Sequence, residues 1–168
     1  MVKEAGAACV LMGSLLLSFQ QVAVERRHIR QVNALGAALD AMRRGLLLCA
    51  APMEELLESA ERCGGEEARE FLNLISLSEL EDHPFSVQWA DAVEKSTLLL
   101  DEEERRVLLQ AGQVLGQAGL DEQCACLHAV TEELRRRAEE RSQKLVQNRR
   151  LWYTLCASAG LLAVVTFI

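Results

Sequence analysis

"DEEERRVLLQAGQVLGQAGLDEQCACLHAVTEELRRRAEERSQKLVQNRR" occupies residues 101–150, and its periodicity decides the fold. It opens with Asp101 as an N-cap and Glu104 three positions on, a box-like start whose acids also suit the positive end of the helix dipole. Gly119 closes this first helix. A second begins at Asp121, which serves as its N-cap. Leu120, Cys124, Leu127, Val130, Leu134, Ala138, Leu145 and Val146 hold an apolar stripe at helical spacing. Nothing breaks the path beyond Arg149, so a rod from residue 121 to residue 168 would measure about 70 Å.

Upstream the same pattern recurs. Aromatic residues make up 4% of the chain and only two prolines occur, while Ala, Leu, Glu, Arg and Gln, all good helix formers, dominate. Ile29, Val32, Leu35, Leu39, Met42 and Leu46 mark a first helix that ends near Ala51, because Pro52 disfavours helical geometry there. Pro52 opens "PMEELLESAERC", stopped by Gly64-Gly65 as a C-cap. "EEAREFLNLISLSEL" follows, and "EDHPFSVQWADAVEKS" restarts at Pro84. The expected fold is all-α, an antiparallel bundle of about six helices, with the first and last side by side as a stalk.

Both ends of the chain are apolar. Residues 151–168 carry no charge and would span about 27 Å as a helix, near the roughly 30 Å hydrocarbon core of a bilayer. Trp152 and Tyr153 stand at the polar end of this run, where amphipathic rings suit the headgroup layer. A second uncharged run extends from Ala5 to Val24. A cleaved signal peptide is its rival, but no good small-x-small site precedes Glu25. Arg26, Arg27 and Arg30 follow the N-terminal run, and Arg149 and Arg150 precede the C-terminal run, so the positive-inside rule keeps the middle in the cytosol. The expected organisation is a transmembrane helix over residues 1–24, a cytosolic helical domain over 25–150 and a transmembrane helix over 151–168. Ala5, Cys9 and Gly13, and likewise Cys156 with Gly160, recur every four residues as small faces that let membrane helices approach.

The net charge of −7 argues against nucleic acid, which needs a basic face. Residues 54–82 hold ten acids against Arg62 and Arg69, a balance of −8, with Glu54, Glu55 and Glu58 at its start. Solubility explains such a run, and so does an acidic docking surface for a basic partner. The six cysteines form no CxxC pair and fit reduced, small apolar residues of a cytosol-facing protein. Cys124 and His128 share a helix face but lack the two further ligands a metal site needs. His28 lies among arginines and His83 beside a turn, neither in a motif. "AGQVLGQAG" lacks the Lys-Ser/Thr end and the preceding strand of a phosphate loop. No enzyme, cofactor or small-molecule substrate is expected.

Two stretches resemble the stage III sporulation protein AB family: "RRHIRQVNALGAALDAMRRGLLLCAAPMEELLESA" and "VLLQAGQVLGQAGLDEQCACLHAVTEELRRRAEE", with Trp89 of "WADAV" between them. The apolar ends match as well, so the resemblance covers essentially the whole chain. It implies a mother-cell membrane protein within an assembly bridging mother cell and forespore. Its cytosolic domain would be similar to the platform protein F of type II secretion, which engages a secretion-type ATPase, here a stage III AA partner. Arg30, Leu35, Leu39, Pro52, Trp89, Gly112, Leu115, Gly116, Asp121 and Gln123 match the family's motifs. The leucines and Trp89 read as core, and Gly112 with Gly116 as one face permitting a close helix crossing. Arg30, Asp121 and Gln123 read as partner-facing. Gly45, Cys49 and Ala111 depart from the family's acid and aromatic positions. The resemblance also implies membrane-lipid contact and partnership with other membrane proteins of the complex, and it allows a homo-oligomer. A tail-anchored helical regulator binding partner helices is the alternative, but it would carry a groove motif of the Asn-Trp-Gly-Arg type and would not need the first apolar run.

Overall fold

A computed structural model describes the backbone of residues 2–75 and 84–167 and the side chains of residues 22–75 and 84–147. The regular structure of the described residues is α-helix: α1 (Val2–Cys49), α2 (Met53–Leu72), α3 (Phe85–Lys95), α4 (Glu102–Val114) and α5 (Leu120–Phe167). The all-α expectation therefore holds. The chain divides into two compact units, one formed by Met1–Arg26 with Glu139–Ile168, and a body formed by Arg27–Ala138.

The body is built on the stripes visible in the sequence. Val32, Leu35, Leu39, Met42 and Leu46 of α1 and Cys124, Leu127, Val130, Leu134 and Ala138 of α5 are all buried in one core with Leu56, Phe71, Trp89 and Leu108. Removing a leucine-sized side chain from water contributes about 1.5–3 kcal/mol, so these positions dominate the body's stability. Leu120, placed on the stripe by its spacing, lies instead 44% exposed. It is the first residue of α5 and precedes the first core contact, so helical phase alone does not bury it.

Helix boundaries follow local chemistry, with several shifts from the expected positions. α1 stops at Cys49 because Ala50 takes the left-handed φ of 45°, and the amides of Ala50 and Ala51 return to the carbonyls of Leu46 and Gly45. Pro52 and Pro84 precede α2 and α3 in extended geometry, with ψ of 159° and 142°, so they cap these helices rather than begin them. The break expected at Gly64-Gly65 is present, as a kink that divides α2 where Gly65 adopts the non-helical φ 68° and ψ −159°. Gly64 is the packing glycine of the pair: an added Cβ would meet the Ala68 and Ala38 methyls at 2.3 and 3.0 Å. α4 ends at Val114 rather than at Gly119, and the turn passes through Gly116 at φ 77°. Gly116 is thus a left-handed turn residue and does not share a helical face with Gly112. Asp121 lies inside the first turn of α5, one residue past its start, so it faces the helix dipole without being the N-cap. The predicted Asp101/Glu104 capping box is present in full.

No helix among the described residues is long and apolar enough to cross a membrane. The side chains of residues 1–21 and 148–168 lie outside the described set, and with them most of both apolar runs, including Trp152, Tyr153 and Gly160. The outer parts of both runs are helical in backbone, as extensions of α1 and α5.

Candidate functional site

Trp89 is the centre of the body. It is 1% exposed, and its indole N–H donates to the Leu108 carbonyl at 2.8 Å. Phe71 meets it edge-on with ring centroids 5.1 Å apart, and Phe85 lies tilted at 5.5 Å. Such aromatic pairs add about 0.5–1.5 kcal/mol beyond buried area. Gly112 lies one turn after Leu108 and is the glycine that admits the ring, since a Cβ there would stand 2.2 Å from Trp89 Cδ1. The close approach expected at Gly112 is real, and it is made by an indole.

A polar cluster fastens the start of α4. Glu104 is fully buried, and its Oε2 is 2.7 Å from His28 Nε2 and accepts from the Asp101 amide at 2.9 Å. Arg137 of α5 reaches Asp101 and Glu103 at 3.9 Å each, and bonds Glu133 at 2.6 Å. Arg105 donates to the Val93 carbonyl, and buried Gln31 accepts from the Leu99 amide at 2.9 Å. Side chains of α1, α4 and α5 thus meet here around the end of α3. Sequence reasoning missed the His28–Glu104 pair, which joins positions 76 apart. No local motif announces such a contact, although Glu104 had already been singled out for its cap.

The opposite end of the body is tied differently. Met53 Cε lies 3.6 Å from where a Cβ on Gly116 would stand, and Gln117 bonds Ser86 at 3.0 Å. The end of α1, the starts of α2, α3 and α5, and the turn after α4 meet here. Gln123 staples that turn: its Nε2 donates to Ala118 O at 2.7 Å and its Oε1 accepts from the Gly116 amide at 3.3 Å. Its visible role is therefore structural, unlike the partner-facing role its motif suggested. Asp121, Glu54, Glu55 and Glu58 are exposed at or near this end, and Arg30 is exposed on α1 nearer the polar cluster. The candidate interface residues are accessible, Gln123 only partly, and Arg30 stands apart from the acids. Leu35, Leu39, Leu115 and Trp89 are core, and Pro52 is the exposed cap of α2.

Two titratable groups are displaced from their ordinary ranges. The hydrogen bond from Arg136, joined by Arg137, holds the Glu133 carboxyl down to about 2. Burial, aided by nearby Glu122, raises the Cys126 thiol. Cys124 is buried and His128 exposed, so the helix does not present them together to a metal. Among the described residues no group of three His, Cys, Asp or Glu side chains is arranged to hold a metal ion. His83 lies outside the described residues. What the geometry offers is a packed helical body with two chemically different ends.

A family model described as stage III sporulation protein AB matches residues 3–168. No curated protein and no solved structure gives a match.

Proposed function

The chain belongs to the stage III sporulation protein AB family, and from that premise we propose that it is a non-enzymatic membrane platform of a sporulation complex linking mother cell and forespore. On this reading its apolar ends anchor it in the mother-cell membrane as two spanning helices, and residues 25–150 face the cytoplasm as an antiparallel bundle. The body resembles a type II secretion F-like platform, and it receives a secretion-type ATPase of the stage III AA kind.

One observation carries the reading. Two helices that supply much of the core, α1 and α5, are the same two that continue into the uncharged runs. A 48-residue helix one part of which packs a core while another part is an uncharged run suits a chain that must fix a globular body to a bilayer. The arginines between support the orientation: Arg26, Arg27 and Arg30 are exposed just after the first run, and cationic flanks stay on the cytosolic side. The buried polar cluster supports a scaffold over a catalyst, because its central carboxylate is fully enclosed by packing.

The test is orientation. Cys49 and Cys63 are exposed on the body. A membrane-impermeant maleimide applied to intact mother cells leaves both unmodified and reaches both after permeabilisation. Modification in intact cells overturns the topology, and recovery of the full chain from the detergent-free soluble fraction overturns the platform.

A further inference from the structure

Of the large hydrophobic side chains that stand exposed in the body, most gather at one end. Leu48 is 80% exposed, Leu47 53%, Val87 54% and Leu120 44%. They come from α1, α3 and α5, and the bonds that join these helix ends are local: Ser86 beside Val87 holds Gln117, and the Gly116 turn that precedes Leu120 lies against Met53. Single exposed leucines are ordinary on any surface. Several from separate helices at one end are not accounted for by folding, which would be served as well by polar residues there.

Exposed acids lie at the same end, while Arg43 and Arg44, one turn before Leu47 and Leu48, are both paired with Asp40. Glu54 and Glu55 begin α2, and Asp121 and Glu122 begin α5. Acids in a first turn have an ordinary use against the helix dipole, so their presence alone would mean nothing. Here they share one end with the exposed leucines, and no basic residue lies in either first turn. A second copy of this chain is a poor occupant, because acid would face acid.

We infer that this end of the body is a docking surface for a partner segment presenting apolar side chains between lysines or arginines. This rests on the platform reading, and it assigns that segment to the secretion-type ATPase. The leucines supply the desolvated centre of the contact and the acids its polar, steering rim.

The test uses the full chain in phosphatidylcholine nanodiscs and the purified ATPase of the same complex as probe. The double variant Leu47→Gln, Leu48→Gln weakens binding about tenfold or more, as loss of a central contact does. The pair Glu54→Gln, Glu55→Gln weakens it less and flattens its salt dependence. Leu74→Gln, an exposed leucine elsewhere, leaves binding within about twofold. Far-UV circular dichroism confirms equal helicity, and Leu120→Gln replaces any variant that has lost it. Binding by both leucine variants equal to that of the unaltered chain overturns the inference alone. No binding by the unaltered chain overturns the platform reading and this one with it.

Discussion

Replacing Gly112 by alanine tests the packing on which the body is centred. Alanine is the better helix former by about 1 kcal/mol, so propensity alone predicts stabilisation. The new methyl, however, would stand 2.2 Å from Trp89 Cδ1, 2.4 Å from Cγ and 2.9 Å from Cβ. Carbon atoms rest at about 3.5–4.0 Å, so the ring must retreat by more than an ångström. It has no room to do so: Phe71 and Phe85 pack on it, and its indole N–H is bonded to Leu108 O at 2.8 Å. Overpacking costs about 1–3 kcal/mol and the strained hydrogen bond about 1, against a gain of about 1. The expected net loss is about 1–3 kcal/mol, a fall of roughly 2–12 °C in Tm for a chain of this size. Gly36→Ala is the matched control, since Gly36 is helical and an added Cβ there meets nothing within 4 Å. That variant gains about 0.5–1 kcal/mol. Both are measured by denaturant unfolding of the full chain in detergent micelles, followed by far-UV circular dichroism. Equal or greater stability in Gly112→Ala refutes the reasoning, because only the ring separates the two sites.

Three further outcomes follow from the same geometry. Glu104→Ala removes a partner of His28 and of the Asp101 amide together, so it destabilises by about 2–4 kcal/mol, read by the same unfolding assay. His28→Ala recovers little of that loss when combined with it, and strict additivity of the two variants would show that the pair is not coupled. In the native chain Cys49 and Cys63 react quickly with a thiol reagent and Cys124 slowly, because only the first two are exposed. Cys126 also lags, since its raised pKa leaves less thiolate; equal rates for all four would count against the packing. Glu133, held near 2 against an ordinary 4.5, binds its proton more readily when unfolded. Its stabilising contribution is therefore present above about 4.5 and lost as pH falls toward 2. As a surface pair it is worth about 0.2–1 kcal/mol, and an unchanged acid transition in Glu133→Gln would remove the claim.

Much of the fold is legible because helices announce themselves locally. The α1 and α5 stripes need only a period of three to four, and the Asp101/Glu104 box needs only three residues of separation. Boundaries set by tertiary contact are harder. Gly119 looks like the end of α4, yet Leu115 leaves the helix first to bury its own side chain, at 1% exposure, and Gly116 turns the chain. Ala50 gives no warning of a left-handed conformation, because the usual signal is glycine. The candidate site was legible as composition but not as arrangement. The acids of α2 are plain in the sequence, while the nearness of Met53 to the Gly116 turn before Leu120 depends on how distant segments pack.

The body's two ends invert the usual rule of burial, and that inversion argues for function at both. At one end a carboxylate is fully enclosed and joined to His28; at the other, leucines face solvent. Replacing a buried pair by apolar residues is often neutral or stabilising, so Glu104 and His28 are not there because the core lacked alternatives. What such a pair supplies is a fixed register: α1 and α4 bring the two groups together in this alignment, and a slip by a turn would leave a buried carboxylate without its histidine. Register matters most in a body whose first and last helices continue into other segments, as α1 and α5 do. Mutual replacement of the pair by leucine and methionine separates the two roles. If stability is kept but the ATPase no longer binds, the pair sets the position of the distant leucine end. If binding also survives, the pair serves only as a fastening within the core.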